Sequence, residues 1–98
     1  MEEAFGPVAS IYKVANKEEA IRIANQTTFG LSSAVWSQDT AEQDYFVQHL
    51  QAGAVFVNGM TISYPELAFG GIKDSGFGRE LSDAGIKEFC NLKTVWKA

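Results

Sequence analysis

The sequence predicts a parallel α/β fold, on three observations. Stretches rich in β-branched and aromatic residues alternate with stretches whose apolar residues recur at helical spacing. Each of the two long helical stretches opens on an Asn or Thr followed three positions later by Glu or Gln, the signature of a capped N-terminus. The run Ala54-Val55-Phe56-Val57 is apolar throughout, as strands covered by helices on both faces tend to be. Strand, helix, strand, helix, strand is the order of a parallel sheet built with right-handed crossovers.

In residues 7 to 14, Val8, Ser10, Tyr12 and Val14 alternate with Ala9, Ile11 and Lys13, which predicts a strand with Pro7 at its first position, where a missing N–H costs least. Asn16 with Glu19 starts a helix whose apolar face is Ala20, Ile21, Ile23 and Ala24 and which runs to about Asn25. Gly30 closes that connection. Leu31 to Trp36 reads as a second strand, ended by Ser37-Gln38-Asp39. Thr40 with Gln43 starts a second helix with Phe46, Val47 and Leu50 on its core stripe, and Gly53 is placed to let the chain leave it. Residues 54 to 57 form the third strand. Residues 58 to 80 have no sustained periodicity and make a longer loop than compact domains leave without a function. Ser82 is placed to cap a last short helix with Ile86, Phe89 and Cys90 facing inward, and Leu92 to Trp96 reads as a closing strand.

Ninety-eight residues, 46% hydrophobic and 20% charged, suit one globular domain near the lower end of the size at which a single core stabilises itself. A net charge of -4 gives no attraction to nucleic acid or to anionic lipid. The longest apolar stretch, Ala52 to Val57, is far short of a membrane span, and the acidic N-terminus lacks the basic flank and apolar run of a signal peptide. These features, with a single cysteine, predict a cytoplasmic protein.

The eleven residues from Gly70 to Glu80 hold four glycines and describe a shaped loop. They match neither the phosphate loop, since Lys73 is followed by Asp74, nor the dinucleotide fingerprint, since Gly76-Phe77-Gly78 lacks the third glycine and the preceding strand. The glycines instead supply positive φ and close backbone approach, with Lys73, Arg79 and Glu80 tying the loop down through polar contacts. Cys90 follows Ile86 and Phe89 at helical spacing and is expected to face the core, where a thiolate is disfavoured. His49, the single histidine, falls on the polar flank of its helix with no partner for acid–base work. No catalytic residue and no metal site are assigned.

Glu3-Ala4-Phe5-Gly6-Pro7-Val8, the Gly70 to Glu80 loop, and Phe89-Cys90-Asn91-Leu92-Lys93-Thr94-Val95-Trp96, in that order, resemble the closing segment of an NAD(P)-dependent aldehyde dehydrogenase. The resemblance runs essentially from end to end, so the whole of 1–98 is identified as a single C-terminal piece of that family's catalytic domain. In the family a thiolate adds to the aldehyde, hydride passes to NAD or NADP, and an activated water hydrolyses the thioester. The reactive cysteine of the family lies in a Gly-Gln-x-Cys context that this chain lacks, and the general base, the oxyanion-hole asparagine and the nucleotide-binding domain are expected upstream. The resemblance therefore implies a chain without activity on its own.

By the same resemblance Glu3 accepts hydrogen bonds from the nicotinamide ribose hydroxyls, Phe5 packs by the nicotinamide ring, and Phe69 is an aromatic wall of the aldehyde entrance. A carboxylate can accept from two vicinal hydroxyls, and an aromatic wall sheds water from the aldehyde carbon. On local grounds alone, Glu3 is ordinarily a solvated charge and Phe69 a loop residue tucked into the core. Ala68 stands where many relatives carry proline before that phenylalanine, which leaves the loop less rigid. Residues 92–97 resemble the strand that in the family joins the sheet of a neighbouring subunit.

Within the family, Ala68 to Lys73, Ser75 to Ser82 and Phe89-Cys90-Asn91 are similar to the succinate-semialdehyde dehydrogenase branch. Such a substrate calls for a cation at its far end, yet Gly59 to Phe69 contains no Arg or Lys. Ser63 offers one hydrogen bond, so the anchor lies upstream or the substrate is another small aldehyde. Met1 before Glu2-Glu3 fits a true start and an engineered one equally. Two alternatives stand beside an inactive piece of a dehydrogenase. One is a remnant that self-associates, or docks on a full-length relative, through exposed strand edges. The other is a small α/β binding module.

Overall fold

In the computed structural model, which describes residues 2–98, one parallel crossover unit sits at the centre. Strand β2 (Ser32–Val35) and strand β3 (Ala54–Val57) pair in parallel, Ser32 opposite Ala54 through Val35 opposite Val57. Helix α2 (Thr40–His49) makes the crossover that a parallel pair requires. Asn58 extends the pairing beyond β3. Its N–H donates to Val35 O (2.7 Å), and its side chain both accepts from the Ser37 amide and donates to the Ser37 carbonyl, at 2.9 Å each. Asn58 does this at φ 54°, in a left-handed conformation that asparagine tolerates.

Helix α1 (Lys17–Ala24) starts as its sequence predicts. The Asn16 side chain accepts from the Glu19 amide at 2.8 Å, and the Glu19 carboxylate reaches back to the Ala15 amide at 2.9 Å. Helix α2 is capped one residue earlier than its Thr-x-x-Gln pattern implies. Asp39 holds the cap position and accepts from the Ala41 amide at 2.9 Å, while the half-buried Gln43 reaches back past the cap to donate to Ser37 O at 2.8 Å. Of the expected stripe, Phe46 and Leu50 are half-buried and Val47 is exposed.

The chain closes a second, antiparallel pair that periodicity does not reveal. Strand β1 (Phe29–Gly30) pairs with strand β4 (Ile72–Lys73) inside the glycine-rich loop, Phe29 opposite Lys73 and Gly30 opposite Ile72. Two residues on each side are too few for an alternation to register.

Other sequence expectations need correction. Residues 7 to 14 form no strand and pair with none among the described residues; Tyr12 and Val14, on one side of the run, line a groove with Ala20, Ile23 and Ala24 of α1. The β-prone alternation is met by a helix flank rather than by a ladder. Strand β3 is half-buried rather than covered on both faces, because its sheet has two strands. Helix α3 (Ser82–Lys87) has Leu81 at its cap position, at φ 63°, although the Ser82 hydroxyl accepts from the Ala84 amide at 3.2 Å. Ile86, Phe89 and Cys90 face outward, not inward, since six helical residues find nothing in this chain to pack that face against. Residues 92 to 96 form no strand and are exposed.

Val35, 8% exposed, is the one buried apolar side chain among the described residues, and none of them is fully buried. The accessible surface is 8068 Å², where a compact chain of this mass would keep roughly 5,500 Å². The radius of gyration is 17.1 Å, against about 13 Å for a compact domain of this length. Composition suits a self-contained core, but these residues do not close one.

Candidate functional site

The glycine-rich loop is pinned at both ends and along its length. Phe69 and Glu80 exchange backbone hydrogen bonds at 2.9 and 2.7 Å, which draws the loop shut at its base. The Arg79 guanidinium donates to Gly71 O at 3.0 Å and to Gly78 O at 2.6 Å. Lys73 Nζ donates to Asn25 O at 3.0 Å and to Thr27 O at 3.1 Å. The Asp74 amide donates to Thr28 O at 2.9 Å, and the Ser75 hydroxyl accepts from the Gly30 amide at 2.8 Å. Lys73 and Arg79 thus tie the loop down through their side chains, and Glu80 does so through its main chain.

The glycines divide their work as their sequence predicts. Gly76 and Gly78 take φ of 129° and 68°, whereas Gly70 and Gly71 are placed for close approach. Between Gly76 and Gly78 the Phe77 ring stands fully exposed.

Two adjoining hollows flank this loop. The first is lined by Glu2, Glu3, Thr27, Phe29, Leu31, Asp74 and Ser75. The second is lined by Phe69, Gly70, Gly71, Phe77 and Phe89 with Arg79, Glu80 and Glu88, and it shares Leu31 and Ser75 with the first. Glu3 and Phe69, separated by most of the chain, therefore stand in neighbouring hollows with a common wall. Phe5 lines neither and is 92% exposed. A third groove, lined by Pro65, Glu66, Leu81 and Ile86, adjoins the second hollow through Glu80 and Phe89.

The chemistry of the first hollow is that of hydrogen-bond acceptance. The carboxylates of Glu2, Glu3 and Asp74 in its lining can accept hydrogen bonds from hydroxyl groups and repel anions such as phosphate. Among the described residues no group of three or more His, Cys, Asp and Glu is arranged to hold a metal ion. The second hollow is walled by aromatic rings, and its one guanidinium is committed to Gly71 and Gly78 carbonyls.

Cys90 is exposed rather than core-facing, and its thiol donates to Ile86 O at 3.5 Å. His49 is exposed as its sequence implies. Its ring stacks on Tyr45 at 4.3 Å and donates through Nδ1 to Tyr45 O at 2.7 Å.

Sequence reasoning missed Asn25. As the residue closing α1 it donates through Nδ2 to His49 O and accepts at Oδ1 from the Gln51 amide, both at 2.9 Å, while its carbonyl receives Lys73. It thereby joins the ends of both long helices to the loop. The available signal was an asparagine just past an apolar helical face, a position that favours C-capping.

A family model described as aldehyde dehydrogenase family matches residues 1–95. The chain is 66% identical over 95 residues to succinate-semialdehyde dehydrogenase (NADP(+)) 1 of Mycobacterium ulcerans (strain Agy99), covering 97% of this chain and 21% of that protein. It is 63% identical over 97 residues to the protein of the same name from Mycobacterium bovis (strain BCG / Pasteur 1173P2), covering 99% and 21%. The crystal structure of succinic semialdehyde dehydrogenase from Streptococcus pyogenes in complex with NADP+ overlays with a TM-score of 0.91 at 42% identity, over 98% of this chain and 21% of that one. The chain spans about a fifth of the length of the curated relatives it matches. Because nearly the whole chain enters that overlay, residues 7–14 and the unpaired C-terminal run follow a course close to that of the matching part of a chain about five times as long.

Proposed function

The chain belongs to the aldehyde dehydrogenase family, and on that premise we propose that it is the C-terminal part of the catalytic domain of a dehydrogenase that oxidises succinate semialdehyde with NADP+. The observation that carries this reading is the 66% identity, over 97% of the chain, to a relative named for that substrate and cofactor.

In this reading Glu3 accepts hydrogen bonds from the nicotinamide ribose, and the exposed Phe5 ring packs by the nicotinamide once the rest of the protein brings it there. Bound cofactor supplies the hydride acceptor. Phe69 walls the neighbouring aldehyde site and excludes water from it. The cation that holds the far carboxylate of the substrate comes from outside these residues, because the guanidinium of Arg79 is already spent on main-chain carbonyls. The nucleophile also comes from outside, so the 98 residues alone have no turnover. The site of action is the cytoplasm.

The exposed faces favour one further statement. Residues 92–97 serve as an oligomerisation strand, and in isolation the chain self-associates or docks on a full-length relative through this and other open edges.

The test is a chimera in which residues 1–98 replace the matching segment of the Mycobacterium ulcerans relative, assayed for NADP+ reduction beside the isolated chain. Turnover of succinate semialdehyde by the chimera and none by the isolated chain is expected. A folded chimera that reduces NADP+ only with other aldehydes would overturn the substrate assignment. Turnover by the isolated chain that vanishes in Cys90→Ser would overturn the assignment of the nucleophile.

A further inference from the structure

Lys73 occupies a conformation that the chain adopts at a cost. Its φ is 53°, in the left-handed region, which a residue carrying a Cβ enters only against steric strain. Such strain persists only where surrounding contacts over-determine it, and here they do. The ammonium donates to Asn25 O and Thr27 O, just past the C-terminus of α1, where a cation meets both unsatisfied carbonyls and the negative end of the helix dipole. The next two residues tie down the same opposing segment, Asp74 through its amide to Thr28 O and Ser75 through its hydroxyl to the Gly30 amide. Three consecutive residues of the loop thus clamp residues 25 to 30.

The two clamped segments are also the walls of the site. Thr27, Phe29 and Leu31 from one side and Asp74 and Ser75 from the other line the hollow that holds Glu3, and Leu31 and Ser75 continue into the hollow of Phe69. Lys73 itself lines neither hollow. We propose that Lys73 is a positioning residue, whose charged clamp on the end of α1 fixes the wall shared by the two hollows and so sets the distance between the cofactor and aldehyde sites. A neutral, unbranched side chain of similar reach, such as methionine, leaves the strained backbone without its anchor, and the loop then relaxes and carries Ser75 off the Gly30 amide.

This inference rests on the functional reading above, and the test separates the two. In the chimera with the Mycobacterium ulcerans relative, Lys73→Met is expected to lower kcat for succinate semialdehyde by about tenfold, the scale of a lost charged hydrogen bond. KM for NADP+ should change by less than about threefold, since most cofactor contacts lie in the nucleotide-binding domain, and Lys73→Arg should recover most of the rate. Hydrogen exchange of the peptides covering residues 26–31 and 72–79 is followed in the same proteins. Faster exchange in both peptides of Lys73→Met, restored in Lys73→Arg, is expected whether or not the chimera turns over. A chimera that is inactive but shows this pattern would sink the function and leave the clamp standing. Unchanged exchange and unchanged kcat in Lys73→Met would overturn the clamp.

Discussion

Gly53 packs backbone to backbone on Gly70, so closely that a Cβ on Gly53 would overlap the Gly70 carbonyl oxygen. Gly70 is equally confined, because a Cβ there would lie 2.5 Å from Gly78 O and 2.9 Å from Arg79 Cδ. The Gly53 amide meanwhile donates to Gly30 O at 2.9 Å. This contact is where the entry to β3 meets the glycine-rich loop, one residue after Phe69. Gly53 is required for nearness rather than for a helix exit, since the cap residue of α2 is Leu50 in an extended conformation.

Gly53→Ala should therefore cost a folded dehydrogenase carrying these residues about 1–3 kcal/mol, by overpacking against main chain that cannot move aside as a side chain would. Gly59→Ala is the control, because the nearest atom to its Cβ is Val57 O at 3.9 Å. Thermal melts of the two variants check this, and equal melting temperatures would show that the loop yields.

The caps give a sharper test of local reading. Asp39→Ala should lose about 1 kcal/mol, as should Asn16→Ala, while Thr40→Ala should be close to neutral. The Asp39 carboxylate holds the Ala41 amide, whereas Thr40 is the first helical residue and its hydroxyl makes no cap bond. Urea melts of the three variants decide it, and a Thr40→Ala loss as large as that of Asp39→Ala would restore the Thr-x-x-Gln cap.

What was legible in the sequence follows the range of the forces involved. The helices, β2 and β3 are written in local pattern and caps, so Asn16, Glu19 and the 54–57 run place them within a residue or two. The β1–β4 pair joins Phe29 to Lys73 across more than forty positions and leaves no local trace. The bond of Ser75 to Gly30 was hidden for the same reason, and Asn25 announced itself only as a helix end, its bonds to His49 and Gln51 being long-range. The outward Ile86, Phe89 and Cys90 show the opposite failure. Their helical spacing correctly marks an apolar face, but spacing cannot say whether the covering surface belongs to this chain.

That uncovered surface predicts assembly. Phe5, Ile11, Phe89, Leu92 and Trp96 are each more than four-fifths exposed, and the accessible area exceeds that of a compact chain by roughly 2,500 Å². Apolar exposure on this scale marks interfaces or aggregation. The isolated chain should elute as oligomers in size-exclusion chromatography with light scattering, and equimolar full-length relative should shift it into a mixed complex. A monodisperse 10.7 kDa monomer would sink the proposal that its open edges pair.

The ribose role proposed for Glu3 is open to direct measurement. Glu3 is exposed and shares its hollow with Glu2 and Asp74, so the isolated chain presents acceptors for ribose hydroxyls and nothing for the phosphates. Isothermal titration of the isolated chain with NAD or NADP+ should accordingly show no binding at millimolar concentration. In the chimera, where the remaining residues supply the phosphate contacts, Glu3→Gln should weaken NADP+ binding by roughly tenfold or more, because a charged acceptor of two hydroxyls becomes a neutral acceptor of one. Glu2→Gln is the internal comparison, since it keeps the local charge change without touching the residue assigned to the ribose. Equal losses in the two variants would mean that the hollow acts through its summed negative charge, and the specific role given to Glu3 would fall.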